Sequence, residues 1–78
     1  MEDRVIFTLK HILQKKKKKI TLESRLREDL YVDSLEMFMI IADLEDEFEI
    51  TISDDDFANV VTVNDIVVKL RARGLSDY

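Results

Sequence analysis

Three features of this sequence could carry chemistry: a single histidine, a serine that follows an aspartate, and a run of three aspartates. His11 has neither a cysteine nor a second histidine to complete a metal site, and it lies far along the chain from Ser34. We therefore interpret His11 as an ordinary surface or boundary residue. A base, a nucleophile and a metal site do not occur together, so no catalytic residues are assigned and the chain is predicted not to be an enzyme.

The aspartate run at residues 54–56 does not indicate a metal site. An EF-hand loop needs spaced oxygen ligands, an internal glycine and a closing glutamate, and these are absent here. The one glycine of the chain is Gly74, so a glycine-rich phosphate loop is also excluded. No metal ion is expected.

The serine is more informative because of the element that positions it. Asp33-Ser34-Leu35-Glu36 has the form of a capping box and predicts a helix that begins at Ser34 and continues to about residue 49. The predicted core stripe of this second helix is formed by Leu35, Met37, Phe38, Ile41, Leu44 and Phe48. Phe38, Met39 and Ala42 widen the apolar arc, which indicates either an outward face for a partner or a broader buried stripe.

The rest of the chain predicts an all-α fold, a small bundle of three main helices and one short helix. The predicted segments are a first helix at about 3–14, an exposed lysine run at 15–19, a long ordered loop at 20–32, an extended connector at 50–52, a short helix at about 55–59, and a last helix at about 63–73 that ends at Gly74. No sheet is predicted, because residues 50–52 have no second strand to pair with.

Length and composition indicate one small domain over residues 1–78. The chain has 78 residues, 46% of them hydrophobic, and no cysteine, so packing alone must hold the core. No stretch approaches the roughly 18 apolar residues of a membrane span, and the first residues do not resemble a signal peptide. We expect a soluble, cytoplasmic monomer that does not insert into membranes.

Charge is distributed unevenly along the chain. Residues 1–27 contain nine Lys or Arg and three acidic residues, whereas residues 28–78 contain three and fourteen. Such an acidic surface favours basic patches on partner proteins over nucleic acid, although acidic residues also simply keep small proteins soluble. The lysine run could be a nuclear-localisation or phosphate-binding patch. We interpret it as a solvated helix end, since no aromatic or glycine-rich context accompanies it.

Several segments taken together resemble the acyl carrier protein family over residues 3–74. The matching segments are Glu28-Asp29-Leu30-Tyr31-Val32-Asp33-Ser34-Leu35-Glu36, Leu44-Glu45-Asp46-Glu47-Phe48-Glu49-Ile50, Asp54-Asp55-Asp56 and Val61-Thr62-Val63-Asn64-Asp65. Asp-Ser-Leu at a helix start is a weak signal by itself, but the set is specific.

The resemblance implies a carrier that holds acyl intermediates as thioesters on a 4′-phosphopantetheine arm. A phosphopantetheinyl transferase would attach the arm from coenzyme A to Ser34, with Asp33 as cap and recognition residue and Leu35 beside it. Acyl-loading and acyl-transfer enzymes with basic docking patches would then bind the second helix, and the implied contacts are Leu35, Phe38, Met39, Ala42, Glu45 and Asp46. The function implied is delivery of acyl groups in fatty-acid or related lipid biosynthesis.

Some members of the family bury the acyl chain between their helices, and the resemblance implies a second set of residues that would contact it. The matching positions are Leu26, Ile41, Leu44, Ile52, Phe57, Val60, Ile66 and Val67. All are apolar, but they would be apolar in any helical bundle, so they support the fold more than sequestration of cargo.

The sequence departs from the family pattern close to the attachment site. Tyr31 replaces the usual glycine, Val32 follows it, and Met39 occupies a position where fatty-acid carriers usually have an acid. Because Tyr adopts positive φ only at a cost, we expect a loop of different shape with an apolar edge. These departures favour a carrier with its own partner set, in a specialised pathway.

Two other readings remain open at this point. A peptidyl or aminoacyl carrier would have the same attachment motif, but its second helix is usually less acidic. A degenerate carrier fold could instead act as an acidic protein-interaction module with Ser34 unmodified. The intact Asp33-Ser34-Leu35 motif argues against the second reading.

Overall fold

The computed structural model describes residues 1–14 and 19–74, without the side chain of Asp54. Its elements are α1 (Glu2–Ile12), α2 (Ser34–Phe48), a single turn of 3₁₀-helix (Asp54–Phe57) and α3 (Val63–Ala72). The all-α prediction of three main helices and one short helix is therefore confirmed. The predicted lysine run lies largely outside the described residues, and Lys19 at its end is exposed.

α1 packs one side against the rest of the bundle. Val5 and Leu9 are 0% exposed, whereas Phe7 on the opposite side is 72% exposed. Acidic residues lie in its first turn and basic residues in its last, which complements the helix dipole. The helix ends at Ile12, about two residues earlier than the sequence pattern predicted.

α2 buries four of the six residues of the predicted stripe, Met37, Ile41, Leu44 and Phe48, and adds Ile40. The side chains that face the core are Met37, Ile40, Ile41, Leu44 and Phe48, at spacing i, i+3, i+4, i+7 and i+11. Leu35 and Phe38 were predicted in the core but are 68% and 70% exposed. Ile40 was not predicted and is 0% exposed.

The long loop before α2 is ordered by backbone pairing with the segment that precedes α3. The Leu26 N–H donates to the Val61 carbonyl at 2.8 Å, and the Val63 N–H donates to the Ser24 carbonyl at 3.0 Å. Arg25 and Thr62 form an isolated antiparallel bridge, and no strand is found in the described parts of the chain. This pairing satisfies backbone groups that a buried loop would otherwise leave without partners.

α3 begins and ends as the sequence predicted. The Thr62 hydroxyl accepts a hydrogen bond from the Asp65 N–H at 3.2 Å, and the Asp65 carboxylate accepts one from the Thr62 N–H at 3.0 Å. Gly74 follows the helix with φ 87, a conformation that glycine adopts without strain. The short helix before it starts at Asp54, one residue before the predicted position, and has 3₁₀ geometry.

The three main helices enclose one apolar core. Its buried members are Met1, Val5, Leu9, Leu13, Ile20, Leu26, Leu30, Val32, Ile40, Leu44, Ile52, Phe57, Val63, Ile66, Val67 and Leu70. Two surface contacts join α1 to its neighbours: Arg4 pairs with Glu47 of α2 at 2.8 Å, and Glu2 pairs with Arg71 of α3 at 2.9 Å. Among the described residues, no helix is both long enough and apolar enough to span a bilayer.

Candidate functional site

Ser34 is the first residue of α2, and its position is fixed by the residues on either side. The Asp33 carboxylate accepts a hydrogen bond from the Glu36 N–H at 2.8 Å, and the Glu36 carboxylate accepts one from the Asp33 N–H at 3.1 Å. Ser34 is exposed, and its hydroxyl has no hydrogen-bond partner among the described residues. The predicted capping box is therefore confirmed, and it presents this hydroxyl to solvent at the end of a 15-residue helix.

The loop that leads to Ser34 accommodates Tyr31 in a left-handed conformation, with φ 55. The predicted change of backbone conformation at this residue is wrong: Tyr31 adopts the positive φ that a glycine would adopt there, at a cost of about 1 to 2 kcal/mol. Burial of Leu30 and Val32 on both sides anchors the loop, and the Val32 N–H donates to the Leu26 carbonyl at 2.9 Å. The expected apolar edge is present, since Tyr31 is 61% exposed.

An exposed stripe begins at Leu35, next to Ser34, and follows the outer side of α2. We call it the α2 outer stripe, and its members are Leu35, Phe38, Met39, Ala42 and Asp46. Their spacing of i, i+3, i+4, i+7 and i+11 places them on one face, opposite the buried stripe. The apolar arc therefore includes side chains that face outward and is not a broader buried stripe, while the use of this face by a partner stays a prediction.

Glu45 lies beside this stripe but already has a structural partner. Its carboxylate accepts a hydrogen bond from the backbone N–H of Ile52 at 2.8 Å and holds the connector against the end of α2. The side chain is only partly exposed. Asp46, by contrast, is exposed and lines a shallow groove between α1 and α2 together with Phe7 and His11.

A cavity of about 400 Å³ opens beside Met37 and Ile41 of α2, between this helix and the 3₁₀ turn. Its lining residues are Arg27, Met37, Ile41, Phe57, Ala58 and Val60. Three of the eight predicted cargo positions line it, namely Ile41, Phe57 and Val60. The other five, Leu26, Leu44, Ile52, Ile66 and Val67, are 0 to 7% exposed within the core.

The comparisons with known proteins decide the family. A family model described as the phosphopantetheine attachment site matches residues 3–68. An acyl carrier protein of Exiguobacterium sibiricum is 49% identical over 55 residues, which cover 70% of each chain. This chain belongs to the acyl carrier protein family.

Two further relatives agree with this assignment. An acyl carrier protein from another Exiguobacterium strain is 43% identical over 54 residues, which cover 69% of this chain and 68% of the relative. A solved structure from Mycobacterium tuberculosis that is assigned to the acyl carrier proteins superimposes with a TM-score of 0.83 at 38% identity. The superposition covers 92% of this chain and 96% of the other.

Membership of the acyl carrier family establishes the class of function. The protein is a carrier and not a catalyst, and it holds acyl groups on covalently bound 4′-phosphopantetheine. Members of the family interact with a phosphopantetheinyl transferase and with acyl-handling enzymes. The thiol of the arm supplies the thioester chemistry, so the protein itself must present, orient and release the cargo.

The chain offers a suitable anchor for such an arm. Formation of the phosphodiester needs an exposed hydroxyl, and its negative charge needs a favourable environment. The free backbone N–H groups of a helix N-terminus provide such an environment. Ser34 has both properties. No group of three or more potential metal ligands occurs among the described residues.

Structural hydrogen bonds lower the pKa of two aspartates in the caps of the 3₁₀ turn and α3. Backbone N–H donation from Thr62, and then from Val61, lowers the pKa of Asp65. Donation from the Ser53 backbone N–H lowers the pKa of Asp56, and Arg73 adds to the effect.

Sequence reasoning missed two features of this region. One is Arg27, whose place in the cavity wall depends on how the long loop folds back, and no local pattern indicates it. The other is the Glu45 to Ile52 hydrogen bond, which spans seven residues across a helix end. An acid at the end of a helix followed by an extended connector is a weak sign of such a contact.

Proposed function

We propose that the Ser34 hydroxyl carries the phosphopantetheine arm. The best support is the exposure of Ser34 at the N-terminus of α2. The other described serines fit poorly. Ser24 is 9% exposed and its hydroxyl oxygen accepts a hydrogen bond from the Thr21 N–H at 3.0 Å. Ser53 is exposed but precedes only a four-residue 3₁₀ turn.

The electrostatics of the position favour a phosphodiester. An anion at a helix N-terminus gains about 0.3 to 1 kcal/mol at an exposed site. Asp33 opposes the anion through like charge, but its cap hydrogen bond to the Glu36 N–H holds the first turn in place. In this proposal Asp33 caps the helix beside the attachment site, and Leu35 presents an exposed apolar side chain next to it.

The α2 outer stripe is the proposed docking surface for partner enzymes. Phe38, Met39 and Ala42 would supply apolar contact, while Asp46 and part of the Glu45 carboxylate would face Lys or Arg on the partner. Charged contacts at such an edge set the association rate and its salt dependence more than the affinity. The partners proposed are a phosphopantetheinyl transferase and acyl-loading and acyl-transfer enzymes with basic docking patches.

The remaining assignments follow from the same function. The exposed side chains of Tyr31 and Leu35 give the approach to Ser34 an apolar rim. Such a rim favours partner enzymes with a matching apolar surface, and hence a specialised acyl pathway. A monomeric single domain in the cytoplasm, with no nucleic-acid partner, remains the expectation. Efficient chain elongation with standard fatty-acid synthase enzymes would argue against the specialised pathway.

Mass spectrometry of the intact protein tests the attachment site. The chain is incubated with coenzyme A, magnesium and a broad-specificity transferase, and a gain of one phosphopantetheinyl unit is expected. Ser34→Ala should abolish the gain, and Ser53→Ala, which removes the other exposed serine hydroxyl of the described residues, should retain it. An unmodified wild type, or a gain that survives Ser34→Ala, would overturn the proposal.

A further inference from the structure

Arg27 is the one charged side chain in the wall of the cavity beside α2. The other lining residues are Met37, Ile41, Phe57, Ala58 and Val60, all apolar. The lining of the cavity therefore combines five residues with apolar side chains and a single arginine. An occupant that matches both parts has a hydrocarbon body and an anionic group.

Arg27 has no ion-pair partner among the side chains that the structure describes. Arg25, two residues earlier, pairs with Glu28 at 3.0 Å and with Asp29 at 3.2 Å, so the nearby carboxylates are directed to that residue. No Lys or Arg follows until Lys69. The cavity thus has an unpaired cation beside the acidic part of the chain.

The cavity lies on the same side of α2 as Ser34. Met37 and Ile41 follow Ser34 at i+3 and i+7, which places the three residues along one side of the helix. With a rise of about 1.5 Å per residue, Ile41 lies about 10 Å along the axis from Ser34. A group attached to Ser34 can therefore fold back along this side and enter the cavity.

We propose that this cavity holds an acyl cargo with a terminal carboxylate, the half-thioester of a dicarboxylic acid, and that Arg27 pairs with that carboxylate. This inference rests on the proposed attachment of the arm to Ser34. The methylene groups of the cargo contact Met37, Ile41, Phe57 and Val60. Arg27 is the specificity-determining residue, because a purely apolar cargo gains nothing from its charge.

The guanidinium suits this role better than an ammonium group would. It presents two parallel N–H donors that match the two oxygens of a carboxylate. The side chain is exposed, so solvent moderates the gain. The expected preference for a carboxylate over its neutral ester is about two- to fivefold.

The test compares matched cargoes on the full chain. Succinyl, adipoyl and sebacoyl groups and their terminal methyl esters are loaded by the transferase from the corresponding acyl coenzyme A. The acyl phosphopantetheine is transferred to Ser34, adenosine 3′,5′-bisphosphate is released, and loading is verified by intact mass. The rate at which hydroxylamine cleaves each thioester then reports how well the cargo is sheltered. For the best-fitting length, the carboxylate form should be cleaved about two- to fivefold more slowly than its ester.

Variants assign the effect to Arg27. Arg27→Gln should remove the difference between carboxylate and ester, and Arg27→Lys should restore part of it. Lys10→Gln is the matched control, since it removes one exposed cation that lines neither cavity and should preserve the difference. Circular dichroism checks that each variant remains folded.

The outcomes separate the two proposals. If no arm is attached to Ser34, both fail. If loading succeeds but carboxylate and ester are cleaved at equal rates, or the difference survives Arg27→Gln, the carboxylate inference alone fails. It also fails if the NMR signal of the Arg27 side chain shifts as far with the unloaded arm as with the carboxylate-loaded arm. The phosphodiester of the arm would then be the anion that pairs with Arg27.

Discussion

Asp33 and Glu36 hold each other at the start of α2, each carboxylate accepting a hydrogen bond from the other residue's backbone N–H, at 2.8 and 3.1 Å. Ser34 lies between them in sequence, so its backbone is fixed by this reciprocal pair. The hydroxyl proposed to carry the arm is therefore attached to a backbone position that the capping box holds in place. Asp33 contributes both a cap and a charge, and the two contributions can be separated.

Replacing Asp33 by asparagine is expected to keep the cap and remove the charge. Asn and Asp are about equally good N-caps, so the free energy of unfolding of Asp33→Asn should stay within a few tenths of a kcal/mol of wild type, whereas Asp33→Ala should lose about 1 kcal/mol. If Asp33 also helps the transferase to bind, loading of Asp33→Asn should be slower and less sensitive to salt. Urea unfolding and the rate of mass gain measure the two effects, and wild-type loading at every salt concentration would remove the recognition role.

Tyr31 and Glu49 are the non-glycine residues with positive φ in the described parts of the chain, at 55 and 54. Tyr31→Gly should therefore be more stable than Tyr31→Ala by about 1 kcal/mol, because alanine retains the strain of the left-handed region. Glu49→Gly and Glu49→Ala should show the same order, since Glu49 ends α2 in that conformation. Thermal and urea unfolding of the four variants tests this, and equal stability of each Gly and Ala pair would contradict it.

In α2, the sequence predicts the presence of the helix more reliably than it predicts which face of the helix is buried. Residues 37–42 are all apolar, so two stripes offset around the helix fit the pattern equally well. The capping box settles where the helix begins, but only packing against α1 and the rest of the core selects Ile40 over Phe38. The local signals at Thr62 and Gly74 were sufficient because caps depend on neighbouring residues alone.

The parts of the site that the sequence did not predict depend on contacts between distant residues. Arg27 reaches the cavity because its loop is paired with the segment before α3, through the hydrogen bond from the Leu26 N–H to the Val61 carbonyl. A periodicity argument contains no information about such pairing. The conformation of Tyr31 is a similar case, since burial of the residues on both sides imposes the strain.

Acid should weaken the fold partly through Asp65, whose carboxylate completes the capping box at the start of α3. Its folded pKa is lowered by hydrogen bonds from the backbone N–H groups of Thr62 and Val61, so its stabilising contribution is complete above the unfolded pKa of about 3.9 and is lost as pH falls through the folded pKa. Asp65→Asn should therefore lower the free energy of unfolding by about 0.5 to 1 kcal/mol at neutral pH, and the difference from wild type should shrink below pH 4.

Urea unfolding at a series of pH values measures this difference. Asp43→Asn is the control for loss of one charge, since Asp43 is exposed and caps no helix among the described elements. A difference between Asp65→Asn and wild type that stays constant from neutral pH to below pH 4 would show that the charge of Asp65 contributes nothing to the cap.

Phe38 and Phe7 offer a matched test of the α2 outer stripe, because they are the same residue at nearly the same exposure, 70% and 72%, on different helices. Neither side chain supports the core, so Phe38→Ala and Phe7→Ala should each change the free energy of unfolding by less than about 0.5 kcal/mol. Binding should distinguish them. Loss of an apolar anchor at an interface costs about 1 to 2 kcal/mol, which weakens binding roughly five- to thirtyfold.

The dissociation constant of each variant for the phosphopantetheinyl transferase can be measured by titration calorimetry with the unmodified chain. Phe38→Ala should weaken binding and Phe7→Ala should leave it unchanged, because only Phe38 lies on the α2 outer stripe, which begins next to Ser34. Equal affinities for the two variants would show that the outer stripe is not the surface the transferase reads. A loss with Phe7→Ala alone would move the docking surface to the α1 side of the bundle, where Phe7, His11 and Asp43 line the groove.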